Sequence, residues 1–245
     1  MGELGVKAVI LAGGRGRRLE PYTSVLPKPL MPVGDRAIIE MIVDRLVESG
    51  VEDVTLCVGY LAHLIEAVFN GRPRGARLSY VHEDTPLGTA GPLRLVDGLD
   101  GTFLVMNGDL LTDLDFAELV AVHRRAGNLV TIATHERRNV VDYGVVHTEP
   151  GESPRLVSYE EKPETSLTVS MGVYVMEPEV LEHVPRSGYF DFPQLVQALL
   201  DDRLRVGTFP FSGFWLDIGR RDDYEEALER WAQRAREEER ASGAG

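Results

Sequence analysis

The sequence predicts an α/β fold in which a doubly wound, mostly parallel sheet is flanked by helices. Two observations lead to this prediction. Short apolar runs rich in β-branched residues alternate along the chain with segments of helical periodicity, and a glycine-rich turn directly follows the first run. Alternation of this kind is typical of parallel strands joined by crossover helices. With 245 residues, the chain is long enough to bury a substantial core.

The alternation is clearest in the first half of the chain. Apolar runs of strand length are bounded by turn residues, whereas longer segments repeat apolar residues at helical spacing. The predicted strands are residues 8–11, 54–58, 78–81, 103–106 and 130–134. The predicted helices are residues 38–48, 61–69, 88–96 and 116–126.

The pattern changes after residue 137. Shorter strand-like pieces follow at residues 143–147, 156–159, 168–176 and 204–209. Residues 221–240 alternate in charge and carry apolar residues at helical spacing, which predicts a terminal helix followed by frayed residues 241–245. Because the sequence has no long Pro/Gly/Ser-rich linker, we expect one domain over residues 1–245.

The charge of the chain is unevenly distributed. A formal net charge of -13 argues against a nucleic acid as the main partner, because nucleic-acid binding depends on Lys and Arg that neutralise phosphates. Between residues 13 and 36, however, basic residues outnumber acidic ones. The basic residues are Arg15, Arg17, Arg18, Lys28 and Arg36, against Glu20 and Asp35. This local cluster predicts a small anionic ligand.

Other features of the composition favour a cytoplasmic protein. The apolar segment 6–11 is too short for a signal-peptide core, and no segment approaches the length of a membrane span. The single cysteine, Cys57, lies in an apolar run, which predicts a buried packing residue and excludes an internal disulfide. The six histidines lack metal-ligand spacing, so we expect no zinc site.

The glycine-rich turn is the sharpest local signal. Glycine lets backbone N–H groups approach phosphate oxygens, and open α/β sheets bind ligands at the carboxyl ends of their strands. No Gly-Lys-Ser/Thr follows, and Leu19 stands where a dinucleotide fingerprint needs its third glycine. A plain tight turn is the alternative, which the arginines in the turn disfavour. The turn reads Leu11-Ala12-Gly13-Gly14-Arg15-Gly16-Arg17-Arg18-Leu19.

A lysine in a stiff segment follows the turn. Pro27 and Pro29 flank Lys28 and restrict the backbone around it. A lysine fixed near a phosphate loop suits charge neutralisation. The alternative is an ordinary surface lysine in an irregular loop.

Two carboxylates each follow an apolar run in the sequence. Asp109 comes after residues 103–106, and Asp217 comes after Phe214-Trp215-Leu216. If both runs open on one cleft, the two side chains supply hard oxygen ligands for Mg²⁺. Asp109 alone could instead cap a helix. Asp113 and Asp115 are better explained as a turn and a cap before the next helix.

Several motifs together resemble the sugar-1-phosphate nucleotidyltransferase family, which makes nucleotide sugars. Within that family the chain looks most similar to bacterial proteins described as mannose-1-phosphate guanylyltransferases, and the resemblance covers nearly the whole chain. The motifs are the glycine-rich turn with Leu19, Pro21 and Thr23, then Pro27-Lys28-Pro29, Pro86-Leu87-Gly88-Thr89-Ala90-Gly91, Asn107-Gly108-Asp109, Tyr143-Gly144-Val145, Glu161-Lys162-Pro163 and Trp215-Leu216-Asp217-Ile218-Gly219.

The resemblance implies a Rossmann-like fold with a small sugar-binding β region and Mg²⁺-dependent transfer of a nucleotidyl group to a sugar or cyclitol phosphate. Residues 1–136 would mainly bind the nucleotide and residues 137–220 the sugar phosphate. The implied catalytic residues are Arg18, Lys28, Asp109 and Asp217, with both aspartates as metal ligands. The implied nucleotide-binding residues are 11–18, Lys28, Glu83, Pro86, Gly88, Thr89, Asn107 and Asp109. The implied sugar-phosphate residues are Asn107, Gly144, Glu161, Lys162, Gly172 and Trp215.

One position departs from the resemblance and another bears on the nucleobase. Relatives usually have Thr or Ser where this chain has Arg17, which puts the detailed loop geometry in doubt.

Thymidylyl-type relatives have Gln where this chain has Glu83, a side chain that only accepts hydrogen bonds. The two adjacent donors of guanine could meet this carboxylate, so we expect GTP. Asp84 could be the reader instead.

Alternatives remain open at this point. The same reaction could use dTTP, UTP, ATP or CTP with glucose-1-phosphate. A non-catalytic nucleotide-sugar sensor would be favoured if Lys28, Asp109 or Asp217 were missing, and a nicotinamide dehydrogenase is disfavoured by the absent third glycine. The sequence leaves open the identity of the ring, the pathway and the oligomeric state, for which a homodimer is one option.

Overall fold

The structure is a computed structural model that describes residues 4–70 and 75–242. Its strands are β1 (Lys7–Ala12), β2 (Pro32–Val33), β3 (Arg36–Ala37), β4 (Asp53–Val58), β5 (Arg77–His82), β6 (Phe103–Asn107), β7 (Leu110–Thr112), β8 (Val130–Val140), β9 (Gly144–Thr148), β10 (Leu156–Glu161), β11 (Glu164–Met176), β12 (Val206–Phe211) and β13 (Trp215–Asp217). Its α-helices are α1 (Ile38–Glu48), α2 (Ala62–Phe69), α3 (Phe116–Ala126), α4 (Phe192–Asp201) and α5 (Arg221–Ser242).

A mixed sheet of seven strands organises the molecule, in the order β12-β8-β11-β6-β1-β4-β5. Strand β11 runs antiparallel to both of its neighbours, β8 and β6, while the other adjacent pairs are parallel. The predicted mostly parallel α/β fold is therefore confirmed.

Both faces of this sheet are covered, because successive side chains of a strand point to opposite sides. From β1, Ala8 and Ile10 contribute to the core that contains the apolar faces of α1, α2 and α3. Val9 lies in the other core, together with Cys57 and the buried residues of α4. The Cys57 side chain is fully buried, as predicted.

Helices α1 and α3 have the predicted boundaries, and the sequence around α3 explains its ends. Asp115 precedes the helix, and its side chain accepts a hydrogen bond of 3.0 Å from the backbone amide of Glu118. Gly127 follows the helix with a φ of 59°, which suits a residue without a side chain. The prediction of Asp115 as a cap is confirmed.

Two regions differ from the sequence prediction. The predicted helix over residues 88–96 is a short 3₁₀ segment, Gly91–Leu95, because Gly88 has a left-handed φ of 85° and Pro92 lacks the amide hydrogen that a helix beginning at residue 88 would need. The amides of Ala90 and Gly91 donate to the carbonyl oxygen of Phe190. Helix α4 was not predicted, although Gln194 accepts a hydrogen bond of 2.8 Å from the Asp191 amide at its start.

The ends of the chain and the second half of the sheet extend further than predicted. Helix α5 continues to Ser242, so residues 241 and 242 are helical, and residues 243–245 lie outside the described part. The outer halves of β8 and β11 and the hairpin of β9 and β10 form an exposed arm. Within the described residues, no helix is long and apolar enough to cross a membrane.

Candidate active site

A cleft of about 400 Å³ opens where β1 and β6 reach their carboxyl ends. This is the edge at which open α/β sheets bind ligands. The described residues that line it are Leu11, Ala12, Gly13, Gly14, Gly16, Arg18, Lys28, Pro29, Glu83, Pro86, Gly88, Thr89, Asn107, Gly108, Asp109, Tyr189, Asp191 and Asp217. Most of the predicted nucleotide-binding and catalytic residues therefore share one cleft.

The glycine-rich turn is held by the residues that follow it. Gly16 has a φ of 63°, and its carbonyl oxygen accepts a hydrogen bond of 2.9 Å from the Thr23 hydroxyl. A Cβ atom at Gly16 would lie 3.0 Å from Thr23 and 3.1 Å from Lys28, so the position requires glycine for both its backbone angle and its close contacts. The turn is thereby tied to the segment that carries the predicted lysine.

Lys28 is buried, and its ammonium group forms an ion pair with Oδ2 of Asp109. Residues Lys28–Leu30 form a 3₁₀ turn, which Pro27 precedes and which contains Pro29. The two prolines restrict the backbone of the lysine. A lysine is rarely buried without a partner, and this one has a carboxylate from β6's end. The alternative of an ordinary surface lysine is therefore wrong.

The two predicted carboxylates lie side by side because β7 and β13 pair antiparallel. Where this ribbon ends, the amide of Ile218 donates to the carbonyl oxygen of Asp109 at 3.1 Å. Desolvation in the cleft, and next the negative charge of Asp109, raise the pKa of Asp217. Oδ1 of Asp109 is buried without a hydrogen-bond partner. Two adjacent carboxylates with a free oxygen form a donor set that suits a hard divalent cation.

Glu83 lies beside the glycine-rich turn. Its Oε1 atom would be 2.2 Å from a Cβ atom at Gly13, so only glycine at position 13 leaves room for the carboxylate. Its Oε2 atom accepts a hydrogen bond of 3.1 Å from the amide of Leu87. Burial is the main cause that raises the pKa of Glu83. Asp84, the alternative reader, is exposed and lies outside the residues that line the cleft.

Sequence reasoning missed four residues of the cleft lining. Pro29 and Gly108 stood inside motifs that the sequence pointed to, so their neighbours were the available signal. Tyr189 and Asp191 come from the segment before α4, in a part of the chain that showed no motif. The helix-start pattern of Asp191 and Gln194 could have found α4, but no local pattern indicates that Asp191 reaches the cleft.

Some predicted nucleotide and sugar residues lie beside the cleft. The Arg15 guanidinium lies over the ring of Tyr60, with 5.2 Å between its central carbon and the ring centroid, and Arg17 is exposed. Gly172 packs against Asn107, whose Nδ2 atom would be 2.6 Å from a Cβ atom at this position. The indole nitrogen of Trp215 donates to the carbonyl oxygen of Met171 at 3.1 Å. Gly172 and Trp215 thus support the cleft wall from behind.

The remaining predicted sugar residues lie on the exposed arm. The Tyr159 hydroxyl donates to Oε2 of Glu161 at 2.6 Å, and it would lie 2.0 Å from a Cβ atom at Gly144. Lys162 has a φ of 46°, a strained value for a residue with a side chain, and its ammonium lies 3.9 Å from Asp142. The structure gathers Gly144, Glu161 and Lys162 at one end of the hairpin, outside the cleft lining.

The fold and this site define an α/β protein with a glycine-rich turn, two carboxylates and a buried lysine at the carboxyl edge of its sheet. The chain belongs to the nucleotidyl transferase family, which matches residues 7–234. The family resemblance in the sequence is thereby confirmed.

Curated relatives are about one-third identical to this chain. It is 32% identical over 244 residues to the UTP–glucose-1-phosphate uridylyltransferase of Synechocystis, covering 91% of this chain and 62% of the relative. It is 33% identical over 227 residues to the mannose-1-phosphate guanyltransferase of Aspergillus fumigatus, covering 89% of this chain and 62% of the relative. The chain therefore spans less than two-thirds of the length of these relatives.

Solved structures confirm the fold. One is a putative glucose-1-phosphate thymidylyltransferase from Bacillus anthracis in complex with a sucrose, with a TM-score of 0.73, 23% identity and coverage of 93% of this chain and 95% of that chain. Another is HddC from Yersinia pseudotuberculosis complexed with GMP-PN, with a TM-score of 0.70, 23% identity and coverage of 92% and 99%. At this identity, the likeness concerns the fold.

Proposed function

We propose that this protein is a sugar-1-phosphate nucleotidyltransferase, which converts a nucleoside triphosphate and a sugar-1-phosphate or cyclitol phosphate into a nucleotide sugar and pyrophosphate. The observation that carries the proposal is one cleft that combines a glycine-rich turn, Lys28 in an ion pair with Asp109, and the neighbouring Asp217. The matched family and the names of its relatives point to the same reaction.

The reaction proceeds by in-line attack of a sugar-phosphate oxygen on the α-phosphorus of the nucleotide. The bond between the α-phosphorus and the bridging oxygen breaks, and pyrophosphate leaves with the electron pair. Such transfer needs positioning and charge neutralisation more than a protein nucleophile. Arg18 steadies the β- and γ-phosphates, the amides of the glycine-rich turn surround them, and Lys28 faces the α-phosphate.

Asp109 and Asp217 are the residues that would hold Mg²⁺. The Oδ1 atom of Asp109 has no hydrogen-bond partner, and desolvation together with the charge of Asp109 raises the pKa of Asp217, so both carboxylates have capacity to bind a cation. In proteins Mg²⁺ is commonly held by one or two carboxylates together with substrate phosphates. Bound Mg²⁺ supplies charge neutralisation and a template for phosphate oxygens.

The arm supplies the sugar side of the reaction. Lys162 pairs with the phosphate of the sugar substrate, and Glu161 accepts hydrogen bonds from sugar hydroxyls, as the family resemblance implies. The strained backbone of Lys162 supports this role, since strained residues cluster at functional sites. Asn107 lines the nucleotide cleft and contacts Gly172, whose neighbour Met171 accepts a hydrogen bond from Trp215, so these residues would join the sugar side to the nucleotide cleft.

Guanine is the base that we propose, with GTP as the donor and a mannose, heptose or cyclitol phosphate as the acceptor. Glu83 lies in the cleft with only acceptor atoms, and guanine presents two adjacent donors. The guanyltransferase relatives, at 33% identity for the one from Aspergillus fumigatus, support this choice. A uridylyltransferase relative of similar identity makes UTP with glucose-1-phosphate the second candidate.

We further propose that residues 1–245 act as one nucleotidyltransferase domain. Residues 1–136 supply most nucleotide contacts, residues 137–220 the sugar-phosphate contacts, and the C-terminal helix packs behind the lysine segment. The Tyr224 hydroxyl supports this arrangement, since it donates to the carbonyl oxygen of Pro32 at 2.6 Å. We place the reaction in the cytoplasm, where the single free thiol of Cys57 is kept reduced.

Pyrophosphate release tests this proposal. Purified protein with Mg²⁺ is offered GTP, ATP, CTP, UTP and dTTP against a panel of sugar-1-phosphates, and release with GTP and one acceptor is expected. Release with another triphosphate would retain the reaction and remove the assignment of Glu83. Nucleotide binding without release for any pair would favour the non-catalytic sensor, and Asp109→Asn serves as the inactive control.

A further inference from the structure

The segment Gly188–Phe192 lies against the loop Pro86–Gly91 on one wall of the cleft. Tyr189 and Asp191 from the segment line the cleft together with Pro86, Gly88 and Thr89 from the loop. These two pieces are far apart in the sequence, and the family motifs cover only the loop. The conformation of the loop therefore depends on its contacts with this distant segment.

Asp191 makes the central side-chain contact between the two pieces. Its Oδ1 atom accepts hydrogen bonds from the Thr89 amide at 2.8 Å and from the Thr89 hydroxyl at 3.1 Å. The same hydroxyl oxygen accepts a hydrogen bond of 2.9 Å from the Phe192 amide. The hydroxyl of Thr89 is therefore occupied as a donor and as an acceptor by the protein itself.

Backbone contacts complete the attachment. The carbonyl oxygen of Phe190 accepts from the amides of Ala90 at 3.0 Å and Gly91 at 2.9 Å, and the Phe190 amide donates to the carbonyl oxygen of Leu87 at 2.8 Å. Gly88 has a φ of 85°, and a Cβ atom there would lie 2.5 Å from the Phe190 carbonyl oxygen. The loop thus follows the segment so closely that a side chain at position 88 does not fit.

The segment is in turn fixed to the core of the molecule. The ring of Phe192 stacks on Tyr174 of β11 with 4.2 Å between centroids, and Phe192 is buried. Gln194 accepts a hydrogen bond from the Asp191 amide, which fixes the start of α4. Strand β11 pairs with β6, and β6 leads directly to Asp109. The same strand pair therefore supports both Asp109 and, through the stacking of Phe192 on Tyr174, the neighbouring Asp191.

We infer that Asp191 is a positioning residue for nucleotide binding. Its carboxylate holds the Thr89 amide and hydroxyl, so that the loop Pro86–Gly91 keeps the shape in which it faces the base and ribose of the nucleotide. Pre-ordering a loop removes an entropic penalty from ligand binding. The link to a nucleotide rests on the proposed function, whereas the link to the loop rests on the contacts alone.

Amide hydrogen exchange on the free protein tests the link to the loop. In Asp191→Ala, the amide of Thr89 loses its acceptor and is expected to exchange about tenfold faster, and the amides of Ala90 and Gly91 are expected to follow because the loop around them is less firmly held. Asp191→Asn keeps an oxygen that can accept from Thr89 and should retain protection. Unchanged exchange of these amides in folded Asp191→Ala would overturn the proposal, whether or not the protein is an enzyme.

A matched variant separates positioning from a general loss of a helix cap. Asp115 occupies the same place before α3 and caps it through the Glu118 amide, and it is not among the residues that line the cleft. Asp115→Ala should lower the unfolding temperature, by the loss of a cap, without affecting exchange at residues 86–91. Equal acceleration in Asp115→Ala and Asp191→Ala would show a global effect and overturn the assignment.

Steady-state kinetics then test the link to the nucleotide. Asp191→Ala is expected to raise the KM for the nucleoside triphosphate about tenfold, with smaller changes in kcat and in the KM for the sugar phosphate. Thr89→Val, which keeps the amide but loses the hydroxyl, should give a smaller rise in the same direction. A uniform loss of kcat with unchanged nucleotide KM would overturn the proposal. Absence of turnover in the wild-type protein would count against the proposed function instead, and GTP titration would then replace KM.

Discussion

The backbone amide of Ile218 donates a hydrogen bond to the carbonyl oxygen of Asp109, with 3.1 Å between nitrogen and oxygen. This bond continues the antiparallel pairing of β13 with β7, in which Asp217 lies opposite Leu110. The carboxylates of Asp109 and Asp217 are therefore neighbours because the backbone of two short strands is paired. Their proximity raises the pKa of Asp217 beyond the effect of desolvation.

Asp217→Asn should lower the activity of the protein without lowering its stability. Because the substitution removes a desolvated charge beside a second carboxylate, we expect an unfolding temperature equal to or above that of the wild-type protein. The same change removes a proposed metal ligand, so pyrophosphate release should fall on the order of 10² to 10³. Asp222→Asn removes an equal charge at the exposed start of α5 and serves as the control. More than about a tenth of the wild-type rate in Asp217→Asn would contradict its assignment as a metal ligand.

Glu83→Gln should change the choice among nucleotides. The amide adds donors to a group that otherwise only accepts, so the preference for GTP over UTP should weaken or reverse while the fold is kept. The measurement is kcat/KM for each triphosphate with one acceptor. Asp84→Asn, at the exposed neighbouring position, is the matched control, and an unchanged ranking in Glu83→Gln would remove the guanine argument.

The affinity of the wild-type protein for GTP should depend on pH through the same residue. Burial raises the pKa of Glu83, so its carboxylate gains a proton at a higher pH than an ordinary glutamate. As the pH falls towards that raised pKa, the side chain becomes a donor and loses one acceptor, and GTP binding should weaken. Titrations without turnover should show this trend, whereas Glu83→Gln should lack it.

Local patterns predicted much of this structure because their causes are local. The alternation of apolar runs placed the sheet strands, and Asp115 and Gly127 mark the ends of α3 as caps do in many helices. Lys28 between two prolines was predicted to be fixed, and it is buried in an ion pair. The strand pattern and the helix caps depend on neighbours within a few residues, whereas the ion pair of Lys28 with Asp109 joins residues that are 81 positions apart in the sequence.

Features that depend on distant contacts were not predicted from the sequence. Residues 88–96 have helical spacing, but Gly88 lies against the Phe190 carbonyl oxygen with a left-handed φ of 85°, so no helix begins there. Tyr189 and Asp191 reach the cleft because α4 packs through Phe192 on Tyr174, a contact with no trace in local sequence. The sequence likewise did not show that Gly144, Glu161 and Lys162 lie outside the cleft lining, at one end of the exposed hairpin of β9 and β10.

Gly88→Ala should disturb the loop more than its size suggests. The added methyl group would lie 2.5 Å from the Phe190 carbonyl oxygen, and the φ of 85° is unfavourable for alanine. We expect a loss of roughly 1–3 kcal/mol in the free energy of unfolding and a raised nucleotide KM. Gly101→Ala, where no atom lies within 4 Å of the new carbon, should leave both unchanged. Equal behaviour of the two variants in urea unfolding would contradict the close contact.

His123 should make the protein sensitive to mild acid. The ring is fully buried, with Nε2 3.0 Å from Glu177 and Nδ1 2.8 Å from Thr131, and burial lowers its pKa despite the opposing effect of Glu177. The unfolded chain therefore takes up a proton at a higher pH than the folded chain. Protonation of His123 does not affect the free energy of unfolding above the pKa of about 6.5 in the unfolded chain. As the pH falls from there to the lower pKa in the folded chain, it lowers the free energy of unfolding.

Urea unfolding across that range measures the effect. Relative to His123→Gln, the wild-type protein should lose at most about 1.4 kcal/mol per pH unit below pH 6.5, the limit for one proton. Above that pH, the difference in free energy of unfolding between the two proteins should be constant. A difference that stays constant through the whole range would show that the ring protonates equally well in both states.

Cys57 should report on unfolding without interfering with the native protein. Burial, with a smaller contribution from the charge of Glu83, raises the pKa of its thiol to about 12. The reactive thiolate is then on the order of 10⁻⁴ of the native population at pH 8, and the full burial of the side chain excludes reagents as well.

Since the sequence has one cysteine, every equivalent of an aromatic disulfide that reacts is assigned to it. We expect one equivalent to react rapidly in denaturant, only slow reaction through unfolding in native protein, and a still slower native-state rate when a bound nucleotide stabilises the fold. Rapid native labelling at a rate that GTP leaves unchanged would mean that β4 opens locally, although it is paired with β1 on one side and β5 on the other.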